Sequence, residues 1–381
     1  MKILNLLLLL LIPALPGRAA LLKVGVGEAY ATIQAAVNAA APGDTVRVAP
    51  GLYAENVVVN TSPLAIEGAQ RNVTARGRVI GAPNAIQESV VHPPTGSAFT
   101  FSSNDGAIAL AGFSCVAAPG PGDAVIRSSA VGTTSLTLQN NYVGVLAGSI
   151  GGALLLEADG ENATISGNVF KAAPESIAVV RLGALARFHG LHFLNNLVTR
   201  EGGAAHSGFA TGGNRNVGAS VQRQAVISGN EFSGHAVGFD AGARSLLNVD
   251  IVDNQFTSNL GGFSGGPSDS LLRHNHFTGN RVYGLRLTAL TDQNDSAFGA
   301  QSNLIEDNEF RDNGTTTDPA GFGDLLLDEQ ADSNLVSNTI VRNRFESNVA
   351  VYNNESAGLV KLAKNYWDAP DGPGAQGSGS G

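Results

Sequence analysis

The residues best suited to acid–base chemistry are dispersed through the second half of the chain. The candidates are His206, Arg215, Asp240, Asp292 and Asp295. A carboxylate or an imidazole can act as a general base, and an arginine can neutralise an acidic substrate. Such a set would suit a lyase, an esterase or an epimerase. Because solvated polar loops contain the same residue types, we expect the geometry to decide whether these side chains converge.

Other residues could bind a ligand without reacting with it. Arg200 and Glu201 introduce a long polar stretch, and Tyr283 and Tyr366 could each stack against a sugar ring. The alternative is a solvated face on which neighbouring charges compensate one another, since acidic and basic residues alternate there. Both interpretations remain open at this stage.

No spacing in the chain specifies a metal site. Calcium takes oxygen ligands from flexible loops, so Asp292 with Asp295, or Asp324 with Asp328 and Glu329, could hold it. The seven histidines are scattered. The sequence therefore predicts no metal and no cofactor, with calcium as the alternative that the acidic loops allow.

A repeated phrase must position these residues. It consists of an aliphatic residue, two variable residues, Asn, one variable residue, and an aromatic or aliphatic residue, as in Ile251, Asn254 and Phe256. The Asn positions are Asn141, Asn168, Asn195, Asn230, Asn254, Asn275, Asn308, Asn343 and Asn365. Most are 21 to 27 residues apart, which predicts coils of two or three short strands stacked about 4.8 Å apart.

Stacking such coils gives the repeated positions a structural role. Equivalent Phe residues would form a ladder in the core, and a buried Asn at a bend would bond to the backbone and to the Asn of the next coil. We therefore predict that the nine Asn residues are a structural ladder and not catalytic.

Three Asn-to-Asn intervals are longer, at 33 or 35 residues, and predict extruded loops. These loops lie around 201–220, 289–302 and 314–324. The first contains His206 and Arg215, the second Asp292 and Asp295, and the third Asp324. Loops on a rigid repeat commonly carry binding and catalytic residues, so we expect any chemistry to lie there.

The N-terminus is typical of an exported protein. A basic tip precedes the apolar run 3–12, which is too short to span a bilayer comfortably, and small residues lead to Ala19. We predict a signal peptide over 1–19 and a secreted, extracellular, periplasmic or cell-surface location. No later stretch predicts a membrane helix.

Composition favours one elongated domain over 20–374. The net charge of −9 argues against a nucleic-acid partner, and Cys115, the single cysteine, allows no intrachain disulfide. The Gly/Ser-rich segment 375–381 predicts a disordered tail. We expect a monomer.

The N-terminal segment adds a resemblance to a known family. Its motifs are Tyr30-Ala-Thr-Ile-Gln-Ala-Ala-Val and Pro42-Gly-Asp-Thr-Val-Arg-Val-Ala-Pro-Gly-Leu-Tyr. They resemble the opening of right-handed parallel β-helix proteins of the pectin-lyase-like superfamily, including pectinesterase-like and carbohydrate-binding members. The resemblance implies an all-β fold: a single-stranded right-handed parallel β-helix with an N-terminal helical cap over 24–66 and repeat coils over about 100–367.

These observations predict an exported protein that binds a polysaccharide or a cell-surface glycan. One alternative is a lyase, esterase or epimerase that acts on an acidic polysaccharide, and another is a structural or adhesive surface protein. The pectinesterase resemblance identifies no catalytic set. Asp295-Ser-Ala-Phe-Gly has the spacing of one family motif, but the second Asp and a downstream Arg-x-Trp run are missing.

Overall fold

A computed structural model describes most of the chain. The described residues are 18–78, 86–102, 106–128, 135–157, 160–183, 188–202, 206–211, 222–242, 246–290, 299–314, 323–330, 335–347, 349–353 and 360–368. The predicted signal peptide up to residue 17 and the predicted tail lie outside these ranges. No helix in the described ranges is long and apolar enough to cross a membrane.

The described chain winds through three long parallel sheets and a short fourth one. Sheet A consists of Leu21–Val24, Thr45–Val48, Leu64–Glu67, Ile108–Ala111, Leu136–Gln139, Thr164–Ser166, His192–Leu194, Val226–Ser228, Asp250–Val252, Leu271–Arg273, Leu304–Glu306 and Thr339–Val341. Sheet B consists of Gly51–Tyr53, Ser89–Val91, Phe113–Ala117, Tyr142–Val145, Val169–Ala172, Leu197–Arg200, Glu231–Ser233, Gln255–Thr257, His276–Thr278, Glu309–Arg311 and Arg344–Glu346.

Sheet C is the third long sheet. It consists of Val57–Val59, Phe99–Phe101, Ala124–Ser128, Gly152–Leu156, Ala178–Leu182, Ser207–Thr211, Val237–Gly242, Gly261–Gly265, Tyr283–Leu290, Gly323–Gln330 and Val351–Asn353. Sheet D consists of Gly160–Glu161, Phe188–His189, Gln222–Arg223 and Leu246–Leu247. The chain visits A, then B, then C in most coils, so the predicted parallel β-helix is confirmed.

The core is a stack of equivalent apolar residues. Phe232, Phe256, Phe277, Phe310 and Phe345 are in register on sheet B. Their rings stack with centroids 4.8 to 5.1 Å apart. The last ring is covered by Trp367, at 4.9 Å. The predicted Phe ladder is thus the spine of the interior.

The N-terminal end is closed by the helix Ile33–Ala39. Thr32 caps it, accepting a hydrogen bond from the Ala35 amide at 3.2 Å, and Ile33, Ala36 and Val37 are buried. The strand Leu21–Val24 pairs with the next strand of sheet A, so the segment assigned to the cap is already part of the continuous stack. The helix therefore covers the first coils and does not form a separate unit.

Candidate functional site

The bend between sheets A and B contains a continuous buried Asn ladder. The Asn254 amide and its Nδ2 both donate to Oδ1 of Asn275, at 3.1 and 3.0 Å, and Nδ2 also donates to the carbonyl of Ile227. The same pattern runs through Asn141, Asn168, Asn196, Asn230, Asn254, Asn275, Asn308, Asn343 and Asn365. Because these groups satisfy one another inside the bend, they are not available to a ligand.

One position differs from the sequence prediction. Asn196 belongs to the ladder, whereas Asn195 adopts a left-handed backbone conformation, with φ of 55°. The inward residues of this coil are Phe193 and Val198, both fully buried. The repeated phrase therefore begins at Phe193 in this coil, one residue later than the prediction from His192.

A second ladder lies at the bend between sheets B and C. Here the His235 amide donates to Asn259, Asn259 to Asn280, and Asn280 to Asn313, with distances of 3.0 to 3.2 Å. Burial lowers the pKa of His235 to about 4, so the imidazole is neutral at neutral pH. Sequence reasoning missed this ladder. Its signal is an Asn five residues after a ladder Asn, at Asn259, Asn280 and Asn313.

The outer face of sheet B is a network of compensated charges. His276 lies 3.0 Å from Glu309, and Arg311 contacts both Glu309 and Glu346, at 3.0 and 2.9 Å. Tyr366 is half-exposed beside this network, with the Arg344 guanidinium 5.5 Å from its ring centroid. The predicted platform on Tyr366 therefore already packs against a protein cation.

Two other binding candidates are not placed to bind a ligand together. Arg200 is 6% exposed, and its guanidinium donates to the carbonyls of Pro174 and Ser176, at 3.1 and 2.7 Å. Both terminal nitrogens are thus used internally, and the role of Arg200 in ligand binding stays a prediction. Glu201 is exposed and pairs with Lys171.

Sheet C carries a polar cluster on its outer face. Asp240, Ser264 and Arg286 are register partners on three successive strands. The Tyr283 hydroxyl hydrogen-bonds with Ser264 and Arg286, and Arg286 Nε donates to Asp328 at 2.9 Å. We call these five residues the sheet C cluster. It brings together two sequence candidates, Asp240 and Tyr283, with residues that sequence reasoning gave no joint role.

Gly261 explains the position of Tyr283. A Cβ at Gly261 would lie 2.3 Å from Cζ of the Tyr283 ring, so the ring lies flat on the glycine backbone. Tyr283 is only 8% exposed as a result. The ring is therefore not an open platform for a sugar, and the functional part of Tyr283 is its hydroxyl group.

The electrostatics of the cluster follow from burial and charge. Burial raises the pKa of Tyr283, and the Arg286 charge and hydrogen bond partly offset this increase. Burial alone would lower the pKa of Arg286, but the hydrogen bond and charge of Asp328 raise it above its ordinary value. The cluster thus holds a protonated phenol next to a permanent cation, and Asp240 exerts a negative potential on that phenol.

A shallow groove lies further along the same face. Its rim includes Ile150 and Ile177, which are 40% and 46% exposed. Arg181 lines the groove and donates to the Gly122 carbonyl at 3.2 Å, without a carboxylate partner among the described residues. We call this the Arg181 groove. It combines exposed apolar surface with the guanidinium of Arg181 and the carboxylate of Asp123.

Of the remaining catalytic candidates, the structure describes only His206. His206 lies at the bend before sheet C, where its carbonyl accepts a hydrogen bond from the Ala236 amide at 2.9 Å. Arg215, Asp292 and Asp295 lie outside the described residues. Convergence of the five catalytic candidates therefore stays a prediction.

The fold and its buried ladders define the class: a right-handed parallel β-helix. Residues 127–376 match the family model described as periplasmic copper-binding protein (NosD), and the chain belongs to this family. A search of curated proteins found no significant match.

Solved structures show the same fold. The DFA-IIIase of Arthrobacter chlorophenolicus A6 aligns with a TM-score of 0.53 and 13% identity, over 92% of this chain and 90% of that one. The A-module of the mannuronan C-5 epimerase AlgE6 of Azotobacter vinelandii aligns with a TM-score of 0.52 and 15% identity, over 88% of this chain and 92% of that one. At these identities the likeness concerns the fold alone.

The family description implies copper, which proteins bind through imidazole, thiolate and thioether groups. All seven histidines and Cys115 lie within the described residues. Yet no three His, Cys, Asp or Glu side chains of that part converge. Cys115 is fully buried, and burial raises the pKa of its thiol, which disfavours the thiolate that would bind a metal. The described residues therefore do not fit a copper ion.

Proposed function

We propose that this protein is an exported β-helix that binds a polysaccharide along the outer face of sheet C. The observation that carries the proposal is that the sheet C cluster and the Arg181 groove share this face. The predicted signal peptide and the family's periplasmic description support export.

The dimensions of the face suit a chain ligand. The strand of Arg181 and the strand of Arg286 are separated by four strand spacings. At about 4.8 Å per spacing this is roughly 19 Å, enough for several sugar units in an extended chain. A ligand on this face would contact both features at once, whereas a single monosaccharide would contact only one.

The chemistry of the face suits sugars. Ile150 and Ile177 offer apolar surface to the C–H face of a sugar ring, while Ser264, Asp240 and the Tyr283 hydroxyl offer hydrogen-bonding groups. Since no described carboxylate pairs with Arg181, its charge favours a glycan that carries carboxylate or sulfate groups.

The test is retention on immobilised polysaccharides, with acidic and neutral glycans compared. We expect wild type to be retained, and Arg181→Ala to weaken binding at least tenfold through loss of a charge-assisted contact. Arg311→Ala is the matched control, because it removes an exposed arginine from sheet B, where Glu346 already compensates the charge. The proposal fails if wild type binds no glycan, or if both variants weaken binding equally.

A second candidate function is catalysis on an acidic polysaccharide, and the Tyr283 hydroxyl favours it. A phenol that accepts a hydrogen bond from Arg286 could deliver a proton to a leaving oxygen, and Asp240 could position or accept one. Tyr283→Phe should reduce product formation at least 100-fold, while retention of the protein on the polysaccharide is unchanged. No cleavage, de-esterification or epimerisation by wild type at high protein concentration would eliminate this candidate.

A further inference from the structure

The second ladder ends on a carboxylate instead of an amide. Asn313 Nδ2 donates to Asp324 Oδ1 at 2.8 Å, and the Ser347 amide donates to Oδ2 at 3.2 Å. The Ser347 hydroxyl hydrogen-bonds to Oδ1 as well. Asp324 is fully buried, and its side chain links Asn313 of one coil to Ser347 of the next.

The position of Asp324 makes this link important for the C-terminal coil. Ser347 follows the last strand of sheet B, and Leu325–Leu327 pairs with Val351–Asn353, the last strand of sheet C. The Asp324 amide also donates to the Val349 carbonyl at 2.9 Å. One buried side chain thus fastens the end of the stack at the bend where the chain passes from sheet B to sheet C.

The surroundings of Asp324 carry little charge. Asn313 and Ser347 are neutral, and Asp312 is the ionisable group that acts on it among the described residues. Burial raises the pKa of Asp324 to about 7, while the hydrogen bonds from Ser347 and Asn313 partly oppose the shift and Asp312 adds to it. The first ladder has no such group, because it ends on the neutral Asn365.

We propose that Asp324 is a pH-dependent latch that holds the C-terminal coil on the stack. Protonation removes a buried negative charge and leaves one oxygen able to accept hydrogen bonds from Asn313 or Ser347. Ionisation restores the charge inside a buried bend whose hydrogen-bond donors, Asn313 and Ser347, are neutral, which favours opening of the coil to water.

The direction of the pH effect follows from proton linkage. The folded pKa lies above the ordinary value of 3.8, so the closed coil binds more protons than the opened one between these pH values. Stability of the closed coil is therefore complete below about pH 4 and declines as the pH rises to about 7. A difference of one proton makes opening up to tenfold more frequent per pH unit in this window.

Hydrogen exchange of the full chain tests the latch. We expect protection factors of amides in 335–353, corrected for the intrinsic pH dependence of exchange, to fall between pH 5 and pH 8. Amides in 164–200 should change little and serve as an internal reference. Asp324→Asn should fold, because Asn has nearly the same size as Asp and its Oδ1 can still accept hydrogen bonds from Asn313 and Ser347, and it should keep 335–353 protected at both pH values.

Asp250→Asn is the matched control, since Asp250 is an exposed carboxylate on sheet A. It should leave the pH dependence of 335–353 unchanged. A second readout is the infrared difference spectrum between pH 5 and pH 8, in which wild type should show one protonated carboxyl band that Asp324→Asn lacks. The proposal is overturned if wild type and Asp324→Asn lose protection equally with pH, or if that band is absent from wild type.

Discussion

Sheets B and C are built by the same coils, yet their outer faces handle charge differently. On sheet B, Arg311 is held between Glu309 and Glu346, and His276 is paired with Glu309. On sheet C, Arg181 has no carboxylate partner among the described residues. A paired charge contributes little and offers little to a ligand, whereas an unpaired one retains its binding capacity. Other arginines of sheet C are paired, Arg127 with Glu157 and Arg286 with Asp328, so the contrast between the two faces concerns Arg181.

The largest expected effect comes from a substitution in the Asn ladder between sheets A and B. Asn196→Ala removes the partners of the Asn168 amide and of the Ile165 carbonyl, leaving buried polar groups unsatisfied. We expect a loss of about 3 kcal/mol or more in the free energy of unfolding, measured by denaturant titration. Glycan retention by the folded fraction should be unchanged.

Asn195→Gly is the control for this variant, since glycine suits the left-handed backbone at that position. It should lower the free energy of unfolding by much less than Asn196→Ala does. Equal losses from the two variants would contradict the assignment of Asn196 to the ladder.

A substitution next to the sheet C cluster should have a smaller effect on stability. Gly261→Ala places a methyl group where the Tyr283 ring lies, so the ring must leave the sheet and its hydroxyl must leave Arg286. We expect a cost of about 1 to 3 kcal/mol in the free energy of unfolding, together with weaker glycan retention.

The role of the ring can be isolated in a double-mutant cycle. In a Tyr283→Ala background, Gly261→Ala should cost much less, because the clash is gone. If the two substitutions are additive, the ring does not depend on Gly261 for its position.

The Phe ladder and the first Asn ladder were predictable from the sequence because the repeated phrase recurs in most coils. The Phe ladder and eight of the nine Asn positions follow from one phrase, and the error at Asn195 arose where two Asn residues stand together. The second ladder was missed because it contains only three Asn residues and has His235 and Ser347 at its ends. A search for an Asn five residues after each Asn of the first ladder would have identified Asn259, Asn280 and Asn313, the middle of the second ladder.

The sheet C cluster could not be predicted in the same way. Whether Asp240 faces Ser264 and Arg286 depends on the register between coils of unequal length, which sequence spacing does not determine. The burial of Arg200 was equally hidden, since its partners are the backbone carbonyls of Pro174 and Ser176 and leave no residue signature.

The stacked rings that end at Trp367 also bear on how such a chain can change in length. Each ring contacts the ring before it and the ring after it at nearly the same distance, and both ladders repeat on the same scheme. The coils between Phe232 and Trp367 are therefore built on one scheme, and a coil added or removed there would keep the ring stacking. Duplication or loss of one coil would lengthen or shorten the recognition face by one strand spacing and leave both ends intact.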